Sequence, residues 1–133
     1  MRKILAFGFW LLAFSFLQGC SSSELTQEEL AGKAAKGFYD RLLAGDTEGF
    51  LSGKADADSL PSDYRSQLLK AYEQYKQQLD DMHGGVVAVT VSNVRNDSLQ
   101  QMMQAFLLLN FKDSTKEEII VPMVQQGVEW KMR

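Results

Sequence analysis

The chain has 133 residues, a formal net charge of −3, 45% hydrophobic residues, one cysteine and one histidine. That length suits one domain with its own core, and with no second cysteine its stability must come from packing. Seventeen acidic residues against fourteen basic ones argue against a nucleic-acid binder, which needs cations to neutralise phosphates.

Met1-Arg2-Lys3 places two cations directly after the start. Ile4 to Leu17 follows, apolar or Gly throughout except Ser15, and Leu17-Gln18-Gly19-Cys20 closes the segment. A basic opening, an apolar stretch and a small residue before a cut form a secretory signal. The stretch is shorter than the ~20 residues a spanning helix needs. Leu17, Gly19 and Cys20 resemble a bacterial lipobox, with Gln18 in place of the usual Ala or Ser. The resemblance implies cleavage between Gly19 and Cys20, a thioether-linked diacylglycerol on Cys20, and a palmitate-class acyl chain on the new amino terminus. The alternatives are an ordinary signal peptide or an uncleaved anchor helix. An unpaired thiol in an oxidising compartment is a liability, which favours the lipoprotein reading. Several acyl chains give stable anchoring where one is marginal.

This divides the chain into a signal peptide over 1–19, a lipidated cysteine and short tether over 20–26, and one α+β domain over 27–133. Fourteen Lys and Arg less Arg2 and Lys3 leave twelve against seventeen Asp and Glu. The mature net charge is thus −5, which disfavours electrostatic adhesion to anionic lipid. Ser21 to Leu25 is a five-residue tether that reaches at most ~18 Å when extended.

Thr26-Gln27-Glu28-Glu29 is a capping-box pattern. Leu30, Ala34, Phe38 and Leu42 then recur at helical spacing, and Gly45 is placed to stop the helix. Asp46 caps a short second helix that ends at Gly53, and 53–60 reads as a polar loop. A third helix is predicted from Pro61–Ser62 to about Met82, with Tyr64, Leu68, Ala71, Tyr72, Tyr75, Leu79 and Met82 as its apolar stripe. His83 is expected in its last turn, before Gly84-Gly85. Strands are predicted over 86–94, 103–112, 118–125 and 128–133, the middle two joined by a turn at 113–116. The expected fold is α+β, with three N-terminal helices packed on a four-stranded antiparallel sheet.

The segment Ala35 to Phe50, AKGFYDRLLAGDTEGF, resembles the opening helix pair of the nuclear transport factor 2-like superfamily. The ending VPMVQQGVEWKMR resembles the last hairpin of small bacterial lipoproteins of that superfamily. The resemblance spans most of residues 27–133. It implies a curved antiparallel sheet wrapped around the helices, a cone with a pocket, in a superfamily that holds isomerases, dehydratases and non-enzymatic adaptors.

Enzymes of that superfamily place an Asp, His or Tyr set inside the cone. His83 has a suitable intrinsic pKa for acid–base work, but a cationic His at a helix C-terminus is the simpler account. Asp40, beside Lys36 and Arg41, reads as a solvated face, and Asp80-Asp81 lacks further ligands for a metal. No nucleophile elbow, phosphate loop or zinc spacing is present. No catalytic residue, cofactor or metal is therefore assigned, and the chain is not read as an enzyme. Phe38, Tyr39, Tyr64, Tyr72, Tyr75 and Trp130 are candidates for lining a pocket, with ordinary core packing as the alternative.

One pattern departs from plain packing. Ala105, Leu107, Leu109 and Phe111 share one face of the second strand, while Phe106 and Leu108 share the other with Gln104 and Asn110. A sheet with one wet face alternates more cleanly. Phe106 and Leu108 are thus candidates for an interface with a second copy or an envelope protein. The reading is a lipid-anchored envelope protein that binds a small ligand or a protein partner. An isomerase- or dehydratase-like enzyme and a structural accessory of an envelope complex are its alternatives. Ser21 after Cys20 resembles the outer-membrane sorting pattern.

Overall fold

The computed structural model describes residues 25–133. The assignments made on the signal segment, Gly19, Cys20 and most of the tether lie outside the described residues. Helix α1 spans Gln27–Leu43, α2 Thr47–Ser52 and α3 Ser62–Asp81, with one 3-10 turn at Ala57–Ser59. Four strands follow, β1 Val86–Asp97, β2 Met102–Phe111, β3 Lys116–Gln126 and β4 Glu129–Met132, in the sheet order β1-β2-β3-β4. All pairings are antiparallel. The expected α+β layout, three helices on a four-stranded sheet, is the one observed.

The capping box forms as the sequence predicts. The Thr26 hydroxyl accepts from the Glu29 N–H at 3.1 Å, and the Glu29 carboxylate accepts from the Thr26 N–H at 2.9 Å. Two otherwise unpaired donors of the first turn are satisfied reciprocally. α1 then buries a small-residue stripe, Ala31, Gly32 and Ala35, followed by Leu42. Small side chains let the helix lie tight on the sheet. A Cβ on Gly32 would stand 2.8 Å from Val94 Cγ2 and 3.1 Å from Val91 Cγ1. Asp46 caps α2 by accepting from the Gly49 N–H at 2.9 Å.

The core lies between α1 and the inner sheet face. Ala105, Leu107 and Leu109 of β2 are fully buried, with Val121 and Met123 of β3 beside them. Period-two alternation places Phe106 and Leu108 on the opposite face, as expected.

Three local differences have physical causes. β1 runs three residues beyond Val94, because Arg95, Asn96 and Asp97 pair with Gln104, Met103 and Met102. Sheet pairing here overrides the low strand propensity of Asn and Asp. Register shifts interrupt β1 between Val86 and Ala88 and between Val91 and Asn93. Such bulges re-aim side chains, and Val87 is 65% exposed although Val89, two residues on, is buried. Third, the stretch after Gly53 is tied to the sheet. Lys54 forms a parallel bridge with Met132, with Met132 N–H donating to Gly53 O and Ala55 N–H to Met132 O, both at 2.7 Å.

Candidate functional site

A cleft of about 410 Å³ opens between α1, α2, α3 and the edge of β3. Its walls are aromatic and aliphatic: Tyr39, Phe50, Tyr72, Tyr75, Ile120 and Pro122. Lys54 and Arg133 stand at the same cleft. Clefts of this size, apolar with a few convergent polar groups, are the usual form of small-molecule sites.

Phe50 is the hub. Its buried ring meets Tyr39 at 5.1 Å and Tyr72 at 4.8 Å between centroids, both edge-on. Edge-to-face contacts of this kind orient rings through their quadrupoles. Asp46 starts α2 and thereby aims Phe50 at the other two rings. Tyr75 lies one turn along α3 from Tyr72, on the same face. Tyr39 and Tyr75 stand close enough for each to influence the other's ionisation. Burial first, then the neighbouring Tyr75, raises the Tyr39 phenol above its ordinary range. Burial also raises Tyr75, helped by the Glu117 carboxylate, while its interaction with Tyr39 opposes the shift. Burial and then Tyr64 raise Tyr72. These phenols therefore stay protonated as donors and acceptors at neutral pH.

The six candidate lining residues divide. Tyr39, Tyr72 and Tyr75 share the cleft. Tyr64, near the start of α3, is 46% exposed and lies close enough to Tyr72 to influence its ionisation. Phe38 and Trp130 instead line a separate groove of about 410 Å³ with Leu30, Lys33, Arg41 and Lys131. Adjacent helix positions point about 100° apart, so α1 sends Tyr39 to one side and Phe38 to the other. Lys131 is already engaged there. Its Nζ is 5.9 Å from the Phe38 ring centroid, donates to Ser52 O at 3.1 Å and pairs with Glu129 at 3.4 Å. Lys54 and Arg133 make no ion pair among the described residues, and Arg133 Nη1 donates to Gln100 Oε1 at 3.4 Å.

Phe50, Lys54 and Pro122 were not anticipated as site residues. The short Asp46-capped helix carried a signal for Phe50. Lys54 reaches the cleft only through the bridge to Met132, a long-range pairing with no local signature.

His83 departs from expectation. α3 ends at Asp81, and His83 follows in the left-handed region with φ 50°. Its Nδ1 lies 2.9 Å from Asp113 Oδ2 in the β2–β3 turn, and its ring stands 5.1 Å from that of Phe111. It clasps two turns together rather than capping a helix. The Thr115 hydroxyl, then its backbone N–H, holds the Asp113 carboxyl below the usual carboxylate range. Asp40 pairs with Lys36 at 2.7 Å, Asp80 pairs with Lys76 at 2.6 Å, and Asp81 accepts from Gln77 at 3.2 Å. Neither His83 nor Asp40 lines the tyrosine cleft.

Among the described residues, no helix covers the outer sheet face. Phe106 and Leu108 are half-buried there, and Phe106 pairs across the sheet with Asn93 and Ile120, the latter 56% exposed. Ser92 donates to Phe106 O at 3.1 Å and to Glu118 at 2.9 Å on the same face. Among the described residues, no helix is long and apolar enough to cross a membrane.

No protein-family model and no curated protein matches the sequence. A crystal structure from Campylobacter jejuni, provisionally assigned as an NTF2-like transpeptidase, is similar in fold, with a TM-score of 0.61 and 14% identity. The match covers 75% of this chain and 94% of that one. The likeness spans the helices and the sheet, and the fold of this chain is therefore NTF2-like.

Proposed function

We propose that this chain is a lipid-anchored, non-enzymatic binding module of the bacterial cell envelope, held through acylated Cys20 at the outer membrane. Its ligand is a small molecule with a flat apolar body and an anionic or hydrogen-bond-accepting head. The observation that carries this reading is the tyrosine cleft. Phe50, Tyr72, Ile120 and Pro122 offer apolar surface for the body, while protonated tyrosines, Lys54 and Arg133 suit the head.

The absence of machinery in that cleft supports binding over turnover. Acyl transfer of the kind named for the Campylobacter protein needs a nucleophile beside a base. This cleft instead holds phenols that burial keeps protonated. An isomerase or dehydratase needs a base poised near neutral pH, and His83 lies on an outer turn. The outer face around Phe106 and Leu108 suits a second copy of the chain or an envelope protein.

The cleft is tested with anilinonaphthalene sulfonate, an apolar body with an anionic head, on the soluble 25–133 fragment. The expected result is saturable fluorescence with a Kd on the order of micromolar to tens of micromolar. Tyr75→Ala and Lys54→Glu should each weaken it at unchanged near-ultraviolet circular dichroism. Binding unaltered by both substitutions, or no saturable binding, would remove the cleft from the account.

A further inference from the structure

The two most exposed large apolar side chains of the described residues sit at hairpin tips. Leu99, in the β1–β2 turn, is 95% exposed, and Val128, in the β3–β4 turn, is 92% exposed. Turn positions favour Gly, Asn, Asp and Ser for conformational reasons. Neither side chain packs on the core. One such residue would be unremarkable, since scattered surface apolar residues are common.

These two are not scattered. Asp97 pairs with Met102, Met103 with Met123, and Gln126 with Glu129. That register puts both tips at one end of the sheet, opposite the His83–Asp113 clasp. α1 starts at the same end. Trp130 Nε1 donates to Gln27 Oε1 at 3.0 Å, and Glu28 shares a cleft with Asn96 and Met102. Leu25, the first described residue, is 45% exposed there. The chain therefore enters the domain at the end that carries Leu99 and Val128.

Five residues lead from Cys20 to Leu25, a reach of at most ~18 Å. A lipid on Cys20 would hold this end nearest the bilayer. Acidic Glu28, Glu129 and Asp97 lie among basic Arg95, Lys131 and Arg133 at this end, so charge does not select an anionic surface. Interfacial helices bury their apolar faces ~5–10 Å into the headgroup/acyl boundary, with a contribution that scales with apolar area, and exposed apolar tips offer the same kind of surface.

We propose that Leu99 and Val128 are membrane-seating tips that enter the lipid interface and fix the anchored domain upright on the bilayer. The tyrosine cleft and the outer sheet face are then held at a set orientation rather than swinging on the tether. This rests on the acylation of Cys20 proposed above.

The test uses the full acylated chain in phosphatidylcholine vesicles that carry doxyl-labelled lipid. With Cys20 acylated, Leu99→Cys, Val128→Cys and Lys116→Cys each supply one free thiol for an environment-sensitive fluorophore. Lys116 begins β3 at the far end. Quenching at 99 and 128 on the order of threefold stronger than at 116, with blue-shifted emission, is expected for interfacial insertion. Equal quenching at all three sites on a chain whose intact mass shows the diacylglycerol would overturn the seating alone. An intact mass without diacylglycerol would overturn the anchor and the seating together.

Discussion

At the residue scale, Phe50 and the two tyrosines that meet it edge-on decide whether the cleft exists. Phe50 is 6% exposed, and its ring separates Tyr39 from Tyr72. Phe50→Ala should cost about 3–5 kcal/mol in urea unfolding, the range for removing a buried aromatic ring. It should also abolish probe binding in whatever fraction remains folded. The raised Tyr39 phenol gives a second prediction. A group whose folded pKa lies above its unfolded value adds stability that is complete below the unfolded value. That stability is lost as pH rises above it, here beyond about pH 10. Phenolate absorbance of the native protein should therefore show a late phase above the ordinary phenol range, and Tyr39→Phe should shrink it to the part that Tyr72 and Tyr75 contribute. Asp113 carries the opposite sign. Its lowered folded pKa stabilises the turn above the ordinary carboxylate range and is lost as pH falls through the depressed value. Residue-level legibility in the sequence was uneven for a simple reason. Tyr72 and Tyr75 share one helical stripe, so periodicity grouped them correctly. Phe38 and Tyr39 are neighbours in sequence, and only the path of α1 across the sheet shows that they serve different grooves.

At the element scale, α1 and α3 differ in how they are held. α1 has a reciprocal cap and a small-residue face locked against β1. Thr26→Ala should cost about 1 kcal/mol, as loss of an N-cap does. α3 has twenty residues, no side-chain cap at its start, and Leu79 as its one buried residue. Its remaining apolar stripe is half-exposed along the cleft. Segments with few buried apolar contacts open locally at lower free energy than the core. Amides of α3 should exchange with solvent well ahead of those of β2, and a cleft ligand should slow exchange at Tyr72 and Tyr75 selectively. Equal protection of α3 and β2 without ligand would contradict this view. The helices and strands were readable because caps, glycine stops and periods of 3.6 and 2 are local signals. The bulges in β1, the extension to Asp97 and the Lys54–Met132 bridge were not, because each depends on what the partner strand presents.

At the scale of the whole molecule, one end of the sheet carries the chain entry and the exposed tips, and the other carries the His83–Asp113 clasp. The cleft and the uncovered sheet face lie between. If the outer face pairs two copies, sedimentation of the 25–133 fragment should show a dimer that Phe106→Glu and Leu108→Lys dissociate. A clean monomer at high concentration would reject self-association there. Cys20 matters most, because a lipid anchor there would determine which surfaces are free to act. Metabolic labelling with a fatty-acid analogue, comparing the wild type with Cys20→Ser, addresses it most directly. Label on the wild type and none on the variant is the predicted result, and label persisting on the Cys20→Ser chain would contradict it.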